Sequence, residues 1–253
     1  MNRQAQAALL FLLGASLLHA GTTDLYLRYV KAGLQPLLLA SGAVLIATAL
    51  ATGWYEWRRR PQRPGEASHR ETSHRETSHR ETAAHPEPRV SWLLLLPLLA
   101  LILVAPPALG SYTATRTGTA LQEPVAYPAL PATDPLPLAV ADYAGRAAYD
   151  HGRTLTGRRV ALTGFVALDR DGTPYLVRMA LNCCAADAQP VKVGLTGRVP
   201  PVLQPDTWLE VTGTYSPRLT HDPVNGGPIP FLDVTAARPV AAPGDPYDET
   251  WNT

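Results

Sequence analysis

The residues best equipped for chemistry are two adjacent cysteines, Cys183 and Cys184, the only two in a chain of 253 residues. They stand in the run Asn182-Cys183-Cys184-Ala185-Ala186-Asp187-Ala188, at the end of a β-rich stretch and just before Gln189-Pro190. Two thiols and a carboxylate so close together suit a soft or borderline metal such as zinc or copper(I), because thiolates select those ions. A further ligand must come from elsewhere. His221 and Asp222, in the irregular stretch SPRLTHDPVNGGP, are the candidates, with His151 a weaker one. Cys183, Cys184, Asp187 and His221 make up the expected metal-ligand set, and zinc is the cofactor expected if one is bound.

The same pair admits two other readings. It could cycle between dithiol and disulfide in an oxidising compartment. Consecutive Cα atoms lie ~3.8 Å apart across a trans peptide, below the usual ~4.4–6.8 Å of a disulfide, so a vicinal bond would be strained and readily reduced. Alternatively, strand alternation sends one thiol into the core as a small hydrophobe and its neighbour outward, with Asp187 serving as a turn residue. The rest of the chain carries no nucleophile elbow, phosphate-binding glycine loop, paired-histidine helix or Ser-His-Asp signature, so no enzyme activity and no catalytic residue is expected.

The elements that must position these residues divide the chain in two. Residues 1–110 carry 11 basic and 7 acidic side chains, whereas residues 111–253 carry 11 and 14. The near-neutral total, 22 Lys plus Arg against 21 Asp plus Glu, excludes a strongly basic nucleic-acid binder, so no nucleic-acid partner is expected. Three uncharged apolar runs, Ala5 to Thr23, Ala32 to Tyr55 and the core of Val90 to Thr115, are each long enough for a ~30 Å hydrocarbon layer. The first also has features of a signal peptide, with Arg3 ahead of the apolar core and small residues at Ala20 and Gly21. Trp54, Tyr55 and Trp57 close the second run like an interfacial belt, and Pro106-Pro107 end the third.

The intervening connection holds Arg58, Arg59, Arg60, Arg63, Arg70, Arg75, Arg80 and Arg89, which by the positive-inside rule makes it cytoplasmic. The N-terminus is then inside, the loop Asp24 to Lys31 outside, and everything beyond residue 110 outside a bacterial cell membrane. Within this linker SHRET repeats at 68–72, 73–77 and 78–82. A five-residue step turns a helix by ~140°, so His69, His74 and His79 do not share a face, and a solvated tether is the expectation.

The domain boundaries that follow are two transmembrane helices in 1–56, a low-complexity linker in 57–89, a third transmembrane helix in 90–110, a Pro-rich spacer in 111–137 and a β-rich domain in 138–253. In the last, AVADYAGRAAYD predicts one short helix. Five β-rich runs follow: RRVALTGFVAL, TPYLVRMALNCC, QPVKVGLTG, TWLEVTGTYSP and PIPFLDVTAARPV. Gly164 and Gly213 inside two of them suit the bends of a small barrel. A small all-β domain is therefore expected, an OB-like five-stranded barrel first and a β-sandwich as the alternative. Arg158, Arg159 and Arg178 are read as solvating strand edges.

Several segments together, RYVKAGLQPLLLASG, ALTGFV, YLVRMALNCCAADAQPVKV, DTWLEVTGTY and a terminal PYDE, resemble the YcgQ-like bacterial membrane proteins, described as permease subunits. The resemblance spans nearly the whole chain and is most specific from Arg178 to Val193; the SHRET repeat falls outside it. It implies a larger multispanning permease-like partner in the same bilayer and a role in metal homeostasis. It brings no catalytic residues, and for Cys183, Cys184 and Asp187 it implies only that they lie in the recognisable motif. The expectation is a three-span accessory subunit whose external β domain contacts the partner or its substrate. A membrane-tethered metal-binding or thiol-redox module is the alternative.

Overall fold

The computed structural model describes residues 3–58 and 107–249, together with Leu93, Leu96, Leu99, Ala100, Leu103 and Val104. The SHRET linker and most of the third expected span lie outside the described residues. The chain forms two units, one of residues 1–22 and 36–106, the other of residues 23–35 and 107–253.

In the first unit, helix α1 (Arg3–Gly21) and helix α2 (Gln35–Arg58) are apolar along almost their whole length. The stretch Ala32–Arg58 is long and apolar enough to cross a membrane, whereas the apolar part of α1, Ala5–Gly21, is shorter. The two helices meet through small residues. A Cβ on Gly14 would come within 2.8 Å of the Gly42 carbonyl oxygen and of Ile46, so this close approach requires glycine. Leu37, Val44, Leu50, Trp54 and Trp57 of α2 are left exposed.

The second unit is built on five strands, β2 (Arg159–Leu168), β3 (Pro174–Leu181), β4 (Gln189–Gly197), β5 (Trp208–His221) and β6 (Pro228–Pro239). β2 pairs with both β3 and β5, β3 with β4, β4 with β6, and β6 with β5, so the ring closes. All pairings are antiparallel except β4 with β6. This is the five-stranded OB-like barrel expected from the sequence. Two short strands add to it: β1 (Leu136–Pro137) runs parallel to β2, and β7 (Tyr247–Glu249) parallel to β3.

The glycines sit where the barrel bends. The ladder between β5 and β6 shifts register between Thr212 and Gly213, and a Cβ on Gly213 would run into the Asp233 carbonyl across the ladder. A Cβ on Gly164 would lie 2.7 Å from the Val177 carbonyl oxygen of β3.

Alternate residues of the strands, among them Val160, Leu162, Leu176, Val193, Val211 and Leu232, fill the barrel. One mouth is closed by helix α4 (Val140–Ala148), whose Tyr143 donates its hydroxyl proton to the Phe231 carbonyl at 2.7 Å. The opposite face of β2 and β3 is covered too, by Leu109, helix α3 (Ser111–Ala114) and β7, burying Phe165, Tyr175, Val177 and Met179. Burial on both faces explains the nearly unbroken apolar runs of these strands.

Residues 111–137, read from their prolines as a spacer, are in good part packed on the barrel: Ser111, Ala114, Thr119, Leu121 and Leu136 are all buried. The clamps are polar. Lys192 of β4 donates to the Thr117 carbonyl at 3.0 Å and pairs with Asp222 at 2.6 Å, and that carboxylate also accepts the Thr119 N–H. Farther along, Arg146 of α4, 1% exposed, donates to Asp142 and to the Pro128 carbonyl, each at 2.8 Å, and lies over the Tyr127 ring. Apart from the Arg146–Asp142 pair within α4, these pairings were invisible in the sequence because they join residues far apart along the chain.

Candidate metal centre

β3 runs out at Leu181 and the chain turns through Asn182–Ala188 before β4 begins. Asp187 organises that turn. Its Oδ1 accepts the Asn182 N–H at 2.9 Å; its Oδ2 accepts the Cys183 N–H at 2.9 Å and the Cys184 N–H at 3.4 Å. The Cys183 Sγ–H adds a fourth donor, 2.9 Å from Oδ2. A carboxylate three to five residues downstream can close a turn on successive N–H groups in this way. The turn brings Sγ of both cysteines and a carboxylate oxygen of Asp187 within 4.8 Å of one another. Strand alternation does not separate the thiols, because they lie past the end of β3.

Both cysteines are free thiols; Cys183 is exposed and Cys184 half-buried. The hydrogen bond to Asp187, followed by that with Cys184, pushes the Cys183 thiol up to about 11. Burial raises the Asp187 carboxyl, but the hydrogen bonds from Cys183 Sγ and from the three backbone N–H groups outweigh it, so the carboxyl sits below the usual carboxylate value. At neutral pH Cys183 is thus a protonated thiol donating to a carboxylate. That state is a poor nucleophile for disulfide exchange, which needs the thiolate. A metal ion has first to displace the proton.

The turn is also fastened from its open side. The Lys31 N–H donates to the Cys183 carbonyl at 3.1 Å, the Ala185 N–H donates to the Tyr29 carbonyl at 2.8 Å, and Val30 and Cys184 form an antiparallel bridge. The residues concerned belong to the connection between α1 and α2, which holds two short 3-10 turns, Asp24–Arg28 and Ala32–Leu34. Nearby, the Tyr247 hydroxyl of β7 donates to the Arg28 carbonyl at 3.0 Å and accepts the Leu109 N–H at 3.2 Å. β7 itself is held by Arg178, which pairs with Asp248 at 2.9 Å and lies 5.1 Å from the centre of the Trp208 ring.

Of the four residues expected to bind metal, Cys183, Cys184 and Asp187 converge. His221 is not among them: it is exposed at the end of β5, paired with Pro228. Its neighbour Asp222 is buried and committed to Lys192, Thr119 and the Val224 N–H. The three arginines read as edge solvation are fasteners. Arg178 anchors β7, Arg159 pairs with Asp134 at 2.7 Å, and Arg158 donates to the Pro131 and Thr133 carbonyls. A separate open cleft of about 880 Å³ is lined by Arg28, Leu109, Tyr112, Phe165, Trp208 and Pro246, among others. Asp206 at its rim is engaged with the Ser111 N–H and hydroxyl, at 2.6 and 2.9 Å.

Residues 140–248 are similar to the family model described as the DUF1980 C-terminal domain. The match runs from α4 into β7 and includes the whole cysteine turn. No curated protein and no solved structure matches the chain.

Proposed function

We propose that this protein is a membrane-tethered binding module that takes up a thiophilic metal ion at Cys183 and Cys184, on an external barrel, as part of a transport system. The observation that carries the reading is the convergence of two free thiols and a carboxylate within 4.8 Å on a turn whose first thiol is exposed. A buried pair would suit packing, and a strained disulfide would suit a redox switch; two free thiols of which the first is exposed suit an ion that arrives from solvent. Among the described residues, one helix long and apolar enough to cross a membrane supports a tether. The arginine-rich linker that follows it supports a cytoplasmic linker and a barrel on the other side.

A second reading is favoured by the fastening of the turn to residues 29–31. In it the protein is an accessory subunit of a larger permease-like membrane protein, and the cysteine turn shapes the face that meets that partner.

One preparation separates the two. Full-length protein and a Cys183→Ser/Cys184→Ser variant, purified in mild detergent under reducing conditions, are loaded with metal, desalted and analysed for metal per chain and for co-purifying chains. The metal reading expects a stoichiometric ion in the wild type that is lost in the variant. Metal-free wild-type protein that keeps a stoichiometric permease partner would overturn it in favour of the second reading.

A further inference from the structure

The donors at the cysteine turn also restrict which ion can bind. Zinc in protein sites is almost always four-coordinate. Among the described residues only Cys183, Cys184 and Asp187 bring His, Cys, Asp or Glu donor atoms together here, and His221 lies elsewhere. Even the carboxylate is not at leisure. Asp187 Oδ2 already receives the N–H groups of Cys183 and Cys184 and the Cys183 thiol, while Oδ1 receives the N–H of Asn182. Drawing it onto a metal would compete with three successive backbone donors and loosen the turn that brings the thiols together. A site that forms without such rearrangement has two ligands, both sulfur.

Two thiolates and nothing else are a soft donor set, and soft ligands favour copper(I) over harder or higher-coordinate ions. We infer that the Cys183-Cys184 pair selects a monovalent thiophilic cation, copper(I) or its analogue silver(I), held by two sulfurs, with Asp187 as a positioning residue and not a ligand. This rests on the metal-receiving reading above. Binding breaks two S–H bonds, releases both protons to solvent and forms two metal–sulfur bonds, with no change in oxidation state.

The test uses full-length protein in detergent under anaerobic, reducing conditions, titrated separately with copper(I) and zinc against chromophoric chelators. Copper(I) is expected to bind at one ion per chain and to survive desalting, while zinc is stripped. Serine at either cysteine lowers copper(I) affinity at least a hundredfold. X-ray absorption of the wild-type copper(I) protein is expected to show two sulfur scatterers and no oxygen in the first shell. An oxygen scatterer in that shell, or zinc retained through desalting at one per chain, would make Asp187 a ligand and overturn the inference while leaving metal uptake standing. Wild-type protein binding neither ion would overturn the metal-receiving reading itself.

Discussion

Replacing Asp187 by asparagine removes the charge that holds the Cys183 proton, and the consequence can be worked out in numbers. With Asp187 present the thiol is pushed up to about 11; without it the thiol falls back toward the usual 9.0. At pH 7.5 the thiolate fraction then rises from about 3 in 10,000 to about 3 in 100, roughly a hundredfold, and only the thiolate reacts. A less basic thiolate is also a weaker nucleophile, which takes back about eightfold over that interval for a Brønsted slope of 0.4–0.5. Alkylation of Cys183 by iodoacetamide at pH 7.5 should therefore quicken by about tenfold in Asp187→Asn. The wild-type rate should keep climbing tenfold per pH unit through about pH 10 without a plateau. The assay is a quenched time course read by peptide mass spectrometry, with Cys184 as internal reference. An unchanged or slower Cys183 would refute the reasoning. Equal acceleration of both cysteines would refute it too, since that reports an opened turn and not a released proton.

Other perturbations test the scaffold. Lys192→Met leaves Asp222, whose side chain is 0% exposed, without its cation; a loss of about 3–5 kcal/mol follows, read as faster amide exchange across β4 and β5 in the full-length protein. Gly213→Ala forces a methyl group against the Asp233 carbonyl, and a loss of about 1–3 kcal/mol should appear in the same measurement. Lys31 has φ −56°, which proline adopts without strain, so Lys31→Pro removes the N–H given to the Cys183 carbonyl, and Lys31→Ala, which loses the same side chain but keeps the N–H, is its control. Exchange at the Ala185 amide should be several-fold faster in Lys31→Pro than in Lys31→Ala, in line with a hydrogen bond of about 1 kcal/mol.

The barrel was legible because its evidence is local. Short runs rich in β-branched and apolar residues, set off by turn residues, mark the strands, and glycines such as Gly164 and Gly213 mark the bends where a side chain would meet the neighbouring backbone. The short helix at 140–148 was legible for the same reason. Residues 111–121 were not, because their place on the barrel depends on Lys192 and Asp222, which lie far along the chain and carry no pattern of their own. At the cysteine turn the spacing from Cys183 to Asp187 signalled a cluster, and the structure places all three groups together. His221 has the right chemistry for a ligand, but the β5–β6 ladder puts it at a strand end apart from the cluster. The pairing of residues 29–31 with the turn had no signal at all, since a single bridge between two short loops leaves no periodicity.

The central claim, that Cys183 and Cys184 hold a thiophilic ion, is tested most directly by X-ray absorption at the metal edge of full-length protein loaded with copper(I) and desalted. The account predicts a first shell of two sulfur scatterers that disappears in the Cys183→Ser/Cys184→Ser variant. A first shell of oxygen and nitrogen alone, or the same spectrum in that variant, would contradict it.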